Sequence, residues 1–179
     1  MHNLFVFTGG PGSGKTTVIT GLHELNFQYA DEVGRKVIQR QVEQNGSALP
    51  WLDKGLFRDE MIREEIRNYN RYQRSKQPVF FDRGIVDSYG YSKLEKLMIP
   101  DELVHYCQKL RYNKKIFVFP PWKKIFINDT ERKQNFPEAV ATYNEMVKAY
   151  ELFGYSLFEV PKTSVSKRIK FILSAISND

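Results

Sequence analysis

Along this chain, short unbroken apolar runs take turns with longer stretches in which apolar residues recur every three or four positions. Leu4-Phe5-Val6-Phe7 is the first such run. It is too short for a helix face and is followed by glycine, so it predicts a short buried parallel strand. Thr17 to Leu25 predicts a helix, Asn26 to Ala30 a short strand and Asp31 to Gln44 a second helix. Asn45 to Trp51, with Gly46, Ser47 and Pro50, is a turn-rich connection. From Asp53 to about Arg74, Leu56, Met61/Ile62, Ile66, Tyr69 and Tyr72/Gln73 fall at helical spacing with charges between them, and Pro78 closes the stretch. Val79-Phe80-Phe81-Asp82 predicts a buried strand ending on a carboxylate. Helical patterns then cover Val86 to Met98 and Asp101 to Tyr112, and the strand Lys115 to Phe119 stops at Pro120-Pro121. Pro137 can open a helix reaching about Phe153, the strand Tyr155 to Val160 follows, and a last helix starts near Ser164. Strand and helix alternate throughout without an internal repeat, which predicts an α/β fold with a mainly parallel sheet.

The junction of the first strand and first helix holds GGPGSGKT, Gly9 to Thr16. Gly9, Gly14, Lys15 and Thr16 satisfy G-x-x-x-x-G-K-S/T, with further glycines at Gly10 and Gly12. Glycines let backbone N–H groups converge on an anion without a side chain in the way. Lys15 would reach the β- and γ-phosphates of a nucleotide, the Thr16 hydroxyl would bind Mg²⁺, and the helix would turn its positive end to the same phosphates. Gly9, Gly10, Pro11, Gly12, Ser13, Gly14, Lys15, Thr16 and Thr17 are therefore the candidate nucleotide-binding set. A glycine turn that binds nothing would not need a strand before it and a helix after it.

Composition narrows the setting. With 179 residues the chain reads as one domain, 1–179, able to bury a core without staples. Its single cysteine, Cys107, excludes an internal disulfide framework and a multi-cysteine metal site. The apolar N-terminal stretch is too short for a signal peptide or a membrane span, and no later stretch is long enough either, so the expected setting is the reducing cytoplasm. The net charge of +6 suits either a nucleic-acid partner or an electropositive phosphate cleft. The basic residues are spread through predicted helices with no basic tail or zinc-finger spacing, which favours solvated faces over nucleic-acid binding.

In parallel α/β sheets, ligands bind beyond the carboxyl ends of the strands, so residues that end strands carry the chemistry. Asp82 ends the strand Val79 to Asp82, where a phosphate-loop protein needs an acid to hold Mg²⁺ or its water shell. The alternative is a turn or capping carboxylate. Arg83 follows and could bind an acceptor or a moving phosphate with its planar fork. Glu32 could accept the proton of an attacking hydroxyl, with Arg35 one turn on; equally, Asp31 and Glu32 suit a helix N-terminus. The polar segment Asn128-Asp129-Thr130-Glu131-Arg132-Lys133 lies in a long connection, about 120–137, that could form a lid. Arg132 is the residue expected over the phosphates, with Lys123, Lys124 and Lys133 facing solvent.

Taken in order, GGPGSGKT, ADEVGRKVIQRQ, GSALPW, FFDRGIVDS and PPWKKIFINDTER resemble the AAA-domain family of small P-loop ATPases and kinases. That family is related to nucleoside and nucleotide kinases and includes the kinase half of a bifunctional nicotinamide-nucleotide enzyme. The resemblance spans nearly the whole chain. It implies a P-loop NTPase three-layer fold with a five-stranded parallel sheet in the order 2-3-1-4-5 and an arginine lid. It also implies an Asp-Arg pair at the third strand, carried here by Asp82 and Arg83, the lid arginine Arg132, and Glu32 and Arg35 facing the acceptor. Where nucleoside kinases often carry Arg-Ser after the acid, this chain has Arg83-Gly84.

The expected function is transfer of the γ-phosphoryl group of ATP or GTP, with Mg²⁺, to a small acceptor such as a nucleoside or nucleoside-like cofactor precursor. Two rivals remain: a nucleotide-hydrolysing switch acting on a protein, and a nucleic-acid end kinase or binder. Acceptor identity, ATP against GTP and oligomeric state stay open at this level.

Overall fold

Leu4–Gly9 forms β1, and all six of its residues are buried. A strand buried on both faces cannot alternate apolar with polar residues, which is why LFVF reads as an unbroken run. The computed structural model describes residues 3–127 and 135–177. In chain order the elements are β1, α1 (Lys15–Glu24), β2 (Gln28–Ala30), α2 (Val33–Glu43), α3 (Lys54–Tyr72) and β3 (Val79–Asp82). They continue as α4 (Ile85–Leu94), α5 (Asp101–Lys109), β4 (Lys115–Phe119), α6 (Phe136–Leu152), β5 (Ser156–Glu159) and α7 (Val165–Ser177). The five strands form one sheet in the order β2-β3-β1-β4-β5, and every neighbouring pair is parallel.

The two-residue period of β1 divides the core into layers. Leu4 and Val6 join Val79, Phe81 and Ile116 against α3, α4, α5 and α6. Phe5 and Phe7 join Phe80, Phe117 and Phe119 against α1 and α7. This second face is an aromatic sheet surface: the Phe7 ring centroid lies 5.2 Å from Phe80, 5.7 Å from Phe117 and 5.0 Å from Phe119. A smaller cluster of Val33, Val37, Ile38, Leu49 and Phe57 fastens α2 to α3, and Arg40 on α2 pairs with Glu60 and Glu64 on α3 at 2.6 and 2.5 Å.

The fold class and all five strands match the sequence reading, and the differences are at element ends and on one helix face. The first helix begins two residues early, at Lys15, because left-handed Gly14 can serve directly as its cap. The helix expected over Val86 to Met98 ends at Leu94, since Lys96 adopts φ 55° and Leu97 N–H turns back to the Ser92 carbonyl at 2.9 Å. The helix expected to reach Tyr112 ends at Lys109, because Asn113 N–H bonds the Leu4 carbonyl at 2.7 Å and draws the chain toward the sheet. On α3, Leu56 is 46% exposed and Phe57 faces inward instead, held by the α2 cluster and an edge-on contact with Tyr91 at 5.7 Å. Pro137 does sit in the first turn of α6, whose cap is a reciprocal pair: Asn135 Oδ1 accepts from Glu138 N–H at 2.9 Å and Glu138 Oε2 from Asn135 N–H at 2.7 Å. Among the described residues, no helix is long and apolar enough to cross a membrane.

Cys107 on α5 is wholly buried, and burial, with the Asp87 carboxylate adding to it, pushes its thiol up to about 12. A thiol must ionise to react. In the native protein at pH 8, a disulfide reagent should therefore consume less than about a tenth of an equivalent over minutes, and a full equivalent once denaturant is added. Rapid stoichiometric labelling of the native chain would contradict this packing.

Candidate functional site

The carboxyl edge of the sheet gathers those residues singled out from sequence that the structure describes. β1 hands directly into the glycine loop, and Gly9 pairs with Phe119 at the end of β4. A Cβ on Gly10 would lie 2.2 Å from the Ala139 carbonyl oxygen, so the loop passes flush against α6 and only glycine fits. The loop is held closed from within: Ser13 Oγ donates to the Gly10 carbonyl at 2.9 Å. Lys15 Nζ donates to the same carbonyl at 2.9 Å and to the Gly9 carbonyl and Ser13 Oγ at 3.4 Å. Burial, and then Arg83, lower the Lys15 ammonium to about 8 against the opposing pull of Asp82, Glu32 and Asp87. A phosphate arriving at the loop would supply the negative charge this ammonium lacks.

From the far side, Arg168 on α7 braces the loop. It is 2% exposed, its Nη2 donates to the Ser13 carbonyl at 2.8 Å, and its guanidinium stacks over Phe119 at 5.0 Å and Trp122 at 5.6 Å. Burial lowers its pKa. In the sequence it was one cation among several on a terminal helix; nothing local marked it as buried.

Asp82 closes β3 beside the loop, and Thr16 Oγ1 donates to its Oδ2 at 3.4 Å. A hydroxyl and a carboxylate converging where a loop would place phosphates is a hard-oxygen donor set, and it fits Mg²⁺, which takes one or two protein oxygens and completes its shell with phosphate and water. Among the described residues there is no cluster of three or more His, Cys, Asp or Glu that could hold a metal alone.

Arg83 follows in the left-handed region at φ 72°. A side chain costs energy there, and the strain turns the guanidinium back across the strand ends. Its Nε donates to Glu32 Oε1 at 3.1 Å and its Nη1 to Asp87 Oδ1 at 3.1 Å. Burial works against its charge, but Glu32, Asp87 and Asp82 together outweigh that and hold its pKa above the ordinary value. The next residue must be small: a Cβ on Gly84 would sit 2.9 Å from the Tyr112 ring, whose hydroxyl accepts Ile85 N–H at 3.2 Å. That contact accounts for Arg-Gly here in place of Arg-Ser.

Asp87, absent from the sequence candidates, is the hub. Its carboxylate accepts from Thr8 Oγ1 at 2.6 Å, Tyr150 Oη at 2.7 Å, Gly84 N–H at 3.0 Å and Arg83 at 3.1 Å. As an acid in the first turn of α4 it looked like an ordinary helix-start residue.

Of the cavities that open on this constellation, two have Arg83 in their lining. The first, about 480 Å³, is lined by residues 11–17, Asp82, Arg83, Arg35, Trp122, Ile125, Ile127 and the start of α7. The second, about 300 Å³, lies between α2, α3, α4 and α6 and is walled by Ile38, Trp51, Phe57, Met61, Tyr91 and Met146, with Glu65, Asp87 and Glu138 among them. Glu32 and Arg83 line both. Arg35, expected beside the acceptor, lines the first cavity and not the second; one turn beyond Glu32, with its Nε 4.0 Å from Glu32 Oε2, it lies on the loop side of that carboxylate. Arg132 and Lys133, with the rest of 128–134, lie outside the described residues.

The family described as AAA domain matches residues 4–168 of this chain. Among curated proteins, no relative matches by sequence. Solved structures do match by shape. Deoxyadenosine kinase from M. mycoides, with the products dCMP and dCDP bound, superposes at a TM-score of 0.70 with 12% identity, covering 98% of this chain and 100% of that one. The NadR protein in complex with NR gives 0.69 with 18% identity over 98% of this chain and 50% of its own. Shikimate kinase from Aquifex aeolicus gives 0.56 with 17% identity, covering 98% and 96%. The fold is that of the P-loop kinases.

The Asp87 hub yields a stability test. Tyr150→Phe removes one buried hydrogen bond to a carboxylate and leaves the ring in place, so urea denaturation should show a loss of about 2 kcal/mol. An unchanged midpoint would mean that the hub does not depend on this contact.

Proposed function

The chain belongs to the AAA-domain family, and from that premise we propose that it is an ATP-dependent, Mg²⁺-requiring phosphotransferase acting on a small acceptor. The observation that carries this reading is the meeting of two cavities at Glu32 and Arg83. A hydrolytic switch needs only the phosphate cleft. A second chamber abutting its phosphate end has a purpose in transfer, where catalysis consists of positioning plus charge stabilisation.

In this reading Lys15 exchanges its hold on the Gly9 and Gly10 carbonyls for the β- and γ-phosphates of ATP or GTP, which the loop amides and the α1 terminus also bind. Thr16 and Asp82 would hold Mg²⁺, which would supply charge neutralisation on those phosphates. Arg83, fixed between two carboxylates, presents an oriented positive charge where the two cavities join. Glu32 accepts a hydrogen bond from the acceptor hydroxyl and aims its oxygen at the γ-phosphorus. The new oxygen–phosphorus bond forms as the bond from the γ-phosphorus to the β–γ bridging oxygen breaks, and the hydroxyl proton passes to Glu32. Arg132 keeps the role proposed from sequence, beside the moving phosphoryl group.

The acceptor chamber supports a nucleoside or nucleoside-like cofactor precursor over a nucleic-acid end. Trp51, Phe57 and Tyr91 suit a planar ring, and the ionisable wall holds the acids Glu32, Glu65, Asp87, Glu95 and Glu138 against the bases Lys54 and Arg83. A polyanion would meet repulsion there.

Calorimetry of Lys15→Ala should show ATP affinity reduced about tenfold or more, since the ammonium is the loop's one mobile cation. Unaltered affinity and activity would end the nucleotide-site reading. Asp82→Asn should lower acceptor-dependent turnover about a hundredfold or more while nucleotide affinity changes only a few-fold. Screening a metabolite set for ATP consumption separates transfer from hydrolysis: turnover indifferent to every acceptor would favour the switch.

A further inference from the structure

On α3, Phe57, Met61 and Glu65 stand four residues apart in one stripe and line the second cavity. The next residue of the stripe, Tyr69, enters the core. An ionisable side chain thus occupies a position whose neighbours along the helix are apolar. Glu65 is 4% exposed, and among the described residues its Oε2 has no hydrogen-bond partner. Across the same cavity, the buried hydroxyl of Tyr91 on α4 also has none among the described residues. Buried polar atoms are ordinarily satisfied. Two unsatisfied ones on residues that line a single aromatic chamber mark places where a ligand's own polar groups belong.

The chemistry of the pair restricts the ligand. Burial, followed by Asp87, raises the Glu65 carboxyl well above the usual range, which favours its neutral acid form. An acid of this kind offers O–H from one oxygen and C=O from the other. An amide-type edge, a ring carbonyl beside N–H or an amino group beside a ring nitrogen, satisfies Oε2 in either state: its acceptor takes the proton if Oε2 carries it, and its N–H donates if Oε2 is bare. An anionic ring substituent would instead meet Asp87 and Glu138 on the same walls.

We propose that Glu65 Oε2 and the Tyr91 hydroxyl read the acceptor's planar ring, selecting rings with an uncharged amide-type edge. The proposal rests on the second cavity being the acceptor site. It places the ring against the wall formed by Phe57, Trp51 and Tyr91 and the reacting hydroxyl toward Glu32 and Arg83. A site built to hydrogen-bond a polar edge rejects analogues that lack it far more strongly than an apolar pocket rejects a change of size.

The test uses matched ribonucleosides as probes, adenosine against purine riboside and uridine against 3-methyluridine, with affinities from calorimetry. The wild-type protein should prefer the member with the intact edge by at least about tenfold in one pair. Glu65→Gln, which keeps a neutral donor and acceptor, should retain the preference. Glu65→Leu should abolish it without lowering the melting temperature, because leucine suits the stripe. Tyr91→Phe, which keeps the ring contact with Phe57, should weaken the preferred member several-fold. Equal binding of both members of each pair by the wild type, or an intact preference in Glu65→Leu, overturns the inference. A fall in melting temperature with preference intact makes Glu65 a structural residue and also overturns it. If ATP consumption responds to an acceptor that has no such edge and no nucleoside binds, the phosphotransfer reading stands and this inference falls.

Discussion

The arrangement depends on one buried carboxylate. Asp87 accepts hydrogen bonds from β1 through Thr8, from the β3–α4 turn through Arg83 and Gly84, and from α6 through Tyr150. A charge taken out of water is tolerated only when it is surrounded by donors. Here the donors come from three parts of the chain: the turn already bonds β1 through Arg83 N–H to the Phe7 carbonyl at 3.0 Å, and the carboxylate adds α6 to that junction. Asp87 therefore fixes the angle at which α4 leaves the sheet and the rotamer of Arg83. Through Arg83 it also fixes where Glu32 stands, 51 residues earlier in the chain.

How much of this could be read from the sequence follows from how local each cause is. The glycine loop was legible because its chemistry lies in adjacent residues, and β3 was legible because a strand buried on both faces needs Val79-Phe80-Phe81 unbroken. Asp82 stood out by ending that run. Asp87, Glu65 and Arg168 did not stand out, because their burial is decided by elements far away in the chain. Glu64 and Glu65 show the difficulty: Glu64 faces outward to Arg40 and Glu65 inward to the cavity, and composition cannot tell adjacent acids apart. The four-residue spacing from Phe57 through Met61 carried the signal. Leu56 masks it, because an inward Leu56 turns the helix by one position.

The loop and the cavity show two ways of keeping a polar site folded before a ligand arrives. Around Lys15 the chain satisfies itself, with loop carbonyls standing in for phosphate, so the loop is shaped in advance and nucleotide binding becomes an exchange of partners. In the second cavity, Glu65 and Tyr91 are left without such substitutes among the described residues. The first arrangement favours a rigid cradle for a group common to all nucleotides. The second keeps selectivity in a few atoms, which can change without disturbing the cradle.

The two cavities share Glu32 and Arg83 in their linings, and those side chains hold each other. A ligand on either side that draws on Glu32 or Arg83 alters what remains for the other side. Under the proposed phosphotransfer reading, occupancy of the two chambers would be coupled in free energy, and any coupling must be equal in both directions: whatever factor the nucleotide imposes on acceptor affinity, the acceptor imposes on the nucleotide. An ion pair that locally looks like a brace is, at the scale of the whole molecule, a junction through which two binding equilibria exchange information.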